Sequence, residues 1–151
     1  MTYAIELTID NSEVDEQIEC NNIEKIKNAR CKEFEVCYDY ALKDIAKKFK
    51  RRLWGCEDGY YLLEEFSSQI KIENAKVGDI ITYHDINDFD SEYEKPCSGN
   101  CFHFGIIAET DGTIEGTIIN SKWGEDNVYK TKICNVVTLY GNAVVIWKQV
   151  N

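Results

Sequence analysis

The chain has 151 residues, 44% apolar and 29% charged, enough to bury one core in a single domain without disulfides or metal. Its formal charge of −10 argues against a nucleic-acid partner, because that affinity rests on lysine and arginine neutralising phosphates. No apolar run is long enough to span a membrane, and residues 1–10 show neither a basic start nor a small-residue cleavage pattern, so the expectation is a cytoplasmic protein, or one exported without a signal peptide.

Residues 3–9 alternate loosely and are expected to form a strand, ended by Asp10-Asn11-Ser12. Residues 13–29 are polar, with Ile18, Ile23 and Ile26 as the apolar points, which fits a surface helix or two short pieces. From Glu33 the pattern sharpens. Cys37, Tyr40, Ala41, Ile45, Phe49 and Leu53 fall at helical spacings and form one apolar stripe, which predicts a helix that starts near residues 34–37 and stops at Gly55. The basic cluster Lys47-Lys48-Phe49-Lys50-Arg51-Arg52 reads as that helix's solvated C-terminal turn, where cations complement the dipole.

Residues 54–59 are expected as a loop and 60–66 as a short second helix. Val77-Gly78-Asp79 leads into Ile80-Ile81-Thr82-Tyr83-His84, a strand by composition. Asp79 is assigned a turn or cap role, and His84 a surface position at the strand end. Residues 85–100, acidic and holding the only proline, are expected to be an exposed loop.

Residues 101–124 read as a β-hairpin around Thr110-Asp111-Gly112-Thr113, since Asp-Gly is a strong two-residue turn signal. With that turn, His103 lies across from Asn120, and with one more loop residue it faces Ser121 instead. Residues 125–131 are then a loop, 133–140 a strand, Gly141-Asn142 a turn and 143–148 the last strand. Helices first and hairpin-linked strands second predict an α+β fold with the helices packed on an antiparallel sheet. The three tryptophans, Trp54, Trp123 and Trp147, are assigned to core or rim packing.

Seven cysteines in a chain of this length, with no export signal, read as mostly reduced, buried thiols. Cys37 stands out because the positive end of a helix dipole favours thiolate over thiol, and a nearby imidazole would favour it further. Packing the apolar stripe on the sheet brings Cys37 toward the hairpin. The expected division of labour is attack on a carbonyl by Cys37, proton movement by His103, and orientation of the ring by Asn120 or Ser121. A cysteine on an apolar helix face is, by its surroundings alone, more often a buried small hydrophobe. Cys97, Cys101 and His103 also invite a zinc reading, but the Cys-x3-Cys-x-His spacing is not a familiar zinc pattern, so no metal or cofactor is assigned. Two ordinary loop thiols are favoured for Cys97 and Cys101 over a disulfide.

Val36-Cys37-Tyr38-Asp39-Tyr40-Ala41-Leu42, then Val77-Gly78-Asp79-Ile80-Ile81-Thr82-Tyr83, then His103-Phe104-Gly105-Ile106-Ile107 resembles the order of signatures in the NlpC-type and CHAP-type papain-like cysteine peptidases and amidases. Ser121-Lys122-Trp123-Gly124, with Leu139-Tyr140-Gly141, resembles a branch with a Ser-Lys-Trp-Gly turn after the histidine hairpin. The match spans about residues 33–148, leaving 1–32 as an N-terminal strand and helix extension of the single domain 1–151. The resemblance implies a papain-like fold and hydrolysis of an amide or peptide bond through a Cys37 thioester, with His103 as base. It implies a peptide or amide substrate, such as a peptidoglycan peptide or a target protein. Val36 departs from the pattern, standing where such motifs commonly carry a polar residue. The alternative from another class is a catalytically inactive copy of the fold acting as an acidic binding or immunity-type protein toward a basic partner.

Overall fold

Two helices pack on one face of an antiparallel sheet in the computed structural model, which describes residues 8–14, 24–25, 36–90, 95–96, 101, 103–123 and 128–150. Helix α1 is Cys37–Lys48. Val36, its N-cap, has no side-chain oxygen, and the Asp39 carboxylate one turn on accepts the Val36 N–H at 3.0 Å. The helix ends earlier than its apolar stripe suggests. Lys50 adopts the left-handed conformation, with φ 54°, while the Arg51 and Lys50 amides bond back to the Ala46 and Lys47 carbonyls. That Schellman closure, and not Gly55, stops the helix.

Helix α2 is Cys56–Phe66, beginning one turn before the expected start, with Gly55 as its N-cap. The Asp58 carboxylate accepts the Trp54 N–H at 2.8 Å and ties the connecting loop to the first turn. The helices bury Cys37, Ala41, Leu42 and Ile45 from α1 and Tyr60, Leu62 and Leu63 from α2.

The strands are β1 Glu24–Lys25, β2 Gln69–Ile70, β3 Ile80–His84, β4 Phe89–Asp90, β5 Lys95–Pro96, β6 His103–Glu109, β7 Ile118–Lys122, β8 Val128–Lys132 and β9 Ala143–Trp147. Seven of them form one sheet in the order β1-β8-β7-β6-β3-β9-β2, every neighbour pair antiparallel. β4 and β5 pair separately, so the expected loop at 85–100 holds a short ladder and a 3₁₀ turn at Ile86–Asp88.

Side chains alternate between the two faces. On the helix side Ile80, Phe104, Val145 and Trp147 meet α1 and α2. On the other side Ile81, Tyr83, Ile107, Ile119, Val144 and Ile146 pack with Trp123, Ile133, Val136 and Val137.

Three further expectations about the strands need correction. The 101–124 hairpin is not closed by a two-residue turn: Ile106 pairs with Asn120 and Ile107 with Ile119, and the register then shifts so that Glu109 meets Ile118. Only Gly112 of the Asp-Gly pair has positive φ, whereas a type I′ turn needs both. Asp111 instead accepts the Thr113 N–H at 2.9 Å, and the Thr110 and Thr117 hydroxyls bond at 2.8 Å across a wider loop. Next, the strand expected at 133–140 is two 3₁₀ turns, Ile133–Asn135 and Thr138–Tyr140, and pairing falls instead on β8, where a loop was expected. The apolar residues of 133–140 cap the core from outside the sheet, and Asn11 holds them by donating to the Val136 and Gly141 carbonyls. Finally, Glu24–Lys25 pairs with β8 where a helix was expected. The rest of that expected helix and nearly all of the expected strand at 3–9 lie outside the described residues, although Thr8 bridges to Ala143. No described helix is long and apolar enough to cross a membrane.

Candidate functional site

Cys37 opens α1 and is 7% exposed, inside the helix-side core. Its partner is a thiol. Cys56 opens α2 and packs against the same helix-side cluster, where the two thiols influence each other's ionisation. Cys37 keeps its proton: the neighbouring Cys56 and then burial hold its pKa well above the ordinary thiol range. Cys56 moves the other way, because a thiolate there would accept the Cys37 hydrogen. Cys101 is the third thiol of the layer, fully enclosed, raised by burial, and donating to the His103 carbonyl at 3.6 Å.

His103 does not join this layer. It is the first residue of β6, paired with Tyr83 of β3 on the sheet face opposite Phe104 and the helices. Its ring stacks on Tyr140 at 4.2 Å and 7° between planes, and tilts against Tyr83 at 5.5 Å. Both ring nitrogens are buried without a hydrogen-bond partner, and burial pushes the pKa down to about 3. A neutral imidazole packed in this way gives Cys37 no counter-ion.

The other expected members also separate. Asn120 faces Ile106 and Lys130, and its buried side-chain oxygen has no partner. Ser121 pairs with Tyr129 and accepts the Trp123 indole N–H at 3.0 Å. Carrying the β6–β7 register onward sets Ser121 level with Gly105 and Trp123 level with His103. Neither Asn120 nor Ser121 orients the His103 ring.

The imidazole on the helix face is His84, which is buried, correcting its expected surface position. Its Nε2 bonds the Thr82 hydroxyl at 2.7 Å, Thr82 also accepts the Trp147 indole N–H at 2.9 Å, and the ring meets Tyr60 edge-on at 5.7 Å. The signal for it was alternation: Ile80, Thr82 and His84 share the face on which helices must pack. Asp79 fills the expected cap role, accepting the Lys76 and Gln149 amides at 2.7 and 2.8 Å. Trp123 and Trp147 are core residues, whereas Trp54 is 76% exposed with the Arg52 guanidinium over its ring. Cys97 lies outside the described residues, and among the described residues no three histidine, cysteine or acidic side chains are grouped as metal ligands. Comparison with known protein families, characterised proteins and solved structures returns no match.

Proposed function

We propose that this chain is a catalytically silent variant of a papain-like α+β fold, working as an acidic binding protein for a partner with a basic surface. One observation carries the reading: His103 is neutral and stacked on Tyr140, across the sheet from a Cys37 thiol that keeps its proton. Acyl transfer to a thiol needs a thiolate and a proton carrier within reach of it, and this pair supplies neither. The charge of −10 supports a basic partner, since a field of one sign speeds encounter with its complement.

A hydrolase reading retains two observations. Cys37 opens a helix in the helix-side cluster, and His84, edge-on to Tyr60 of that cluster, shares its face of the sheet. In that reading His84, not His103, would carry the proton.

Iodoacetamide labelling at mildly acidic pH with peptide mapping separates the two. The binding reading expects Cys37 to stay unlabelled and peptide or amide substrates to remain intact. Selective labelling of Cys37, together with hydrolysis lost in Cys37→Ala and His84→Ala, would overturn it. Its positive arm is an equimolar complex with a candidate basic protein that survives size-exclusion chromatography.

A further inference from the structure

The two helices on this sheet each begin with a cysteine, and both cysteines pack into the same helix-side cluster. Of the other described thiols, Cys101 shares that cluster. Cys134 stands apart, on a 3₁₀ turn beside Asn135, and Cys101 is enclosed and engaged with the His103 carbonyl. Helix α2 packs closely on α1 and β6 at Gly59. A Cβ there would stand 2.9 Å from the ends of the Leu42 and Phe104 side chains, so a larger residue would force something at this contact to shift.

The two sulfurs differ in access. Cys56 is half-buried and reachable from solvent, whereas Cys37 is buried in the core. An outer thiol backed by an inner one is the arrangement that disulfide exchange requires: the first attacks, the second resolves. Cys56 also sits at a positive helix end, which favours thiolate, and the direction of its shift agrees with its being the attacking group.

We propose that Cys56 and Cys37 form an exchange-active dithiol that takes low-molecular-weight disulfides as its reactant. The Cys56 thiolate attacks one sulfur of the small disulfide, forming a mixed disulfide and expelling one small thiolate. Cys37 then gives up its proton and attacks the Cys56 sulfur, expelling the second small thiolate. The chain leaves oxidised, with a Cys37–Cys56 bond joining the first turns of α1 and α2. The small disulfide is reduced to two thiols, the Cys56 and Cys37 protons balancing the two thiolates. Excess small thiol runs the sequence backward.

The test uses the full chain and glutathione disulfide, with acid quench, alkylation and peptide mapping without reductant. The expected product is a linked pair of peptides carrying Cys37 and Cys56, reopened by reduced glutathione. Cys37→Ser removes the resolving thiol, so Cys56 should accumulate as a stable glutathione adduct, at least several-fold above wild type. Cys56→Ser should leave Cys37 a free thiol. The wild-type map decides even if a variant folds poorly. Preferential linkage of Cys56 to Cys101, or Cys37 and Cys56 both remaining thiols while Cys134 reacts, overturns the proposal.

Discussion

His103 is neutral because its surroundings offer nothing to a charge. The ring lies between Tyr140 and Tyr83, and its pKa of about 3 is far below the ordinary 6.5. As pH falls, the unfolded chain takes up this proton first. Stability from the group is therefore fully present above about pH 6.5 and is lost progressively from there down to about pH 3, by at most about 5 kcal/mol. His103→Phe should remove that part of the acid sensitivity. At neutral pH it should change stability by no more than about 1 kcal/mol, since the stack is kept and no hydrogen bond is lost. Urea midpoints for both proteins from pH 7 to pH 4 check this. A loss above about 3 kcal/mol at neutral pH would mean that the ring nitrogens are engaged after all. At this scale the sequence identified Cys37 as a helix-starting cysteine and Asp79 as a cap, because both follow from local pattern. Which face His103 takes depends on strand pairing, and a one-residue change of register reverses it.

Among the elements, α1 shows how a helix can end without glycine. Lys50 holds φ 54° in the closing turn, a conformation that costs a residue with a Cβ about 1 kcal/mol. Lys50→Gly should therefore stabilise the fold by about 0.5–1 kcal/mol, read as a higher midpoint at unchanged slope in urea. No stabilisation, or a loss, would show that the lysine side chain itself contributes there. Neighbouring ring contacts explain why the stop falls here. Phe49 turns onto Phe66 of α2 with centroids 3.7 Å apart, and Arg51 reaches Glu65 at 3.0 Å, so the chain must leave the helix axis to meet α2. The apolar stripe reaching Leu53 was legible in the sequence, but not that its last members pack outside the helix. Similarly, β8 and the 3₁₀ turns after it exchange their expected roles. Val, Ile and Thr favour strands only where a partner strand is available, and β7 is taken by Val128–Lys132.

For the whole molecule, the charge of −10 sets how a basic partner would arrive. Raising salt from ~0.05 M to ~0.5 M shortens the screening length severalfold, so the association rate for such a complex should fall about tenfold or more while dissociation changes little. Stopped-flow association across that range checks this, and a salt-independent on-rate would remove charge as the basis of recognition. Composition and periodicity indicated the class by themselves: helices packed on an antiparallel sheet, with β3, β6 and β9 near their expected places. These are local or summed properties, carried by each segment wherever it lies. Only the tertiary structure decided which thiol Cys37 meets, that His103 and Cys37 pack on opposite faces, and that His84 is the imidazole on the helix side. Each of those is a contact across strands or between helices, and a contact has no trace in the spacing of either partner alone.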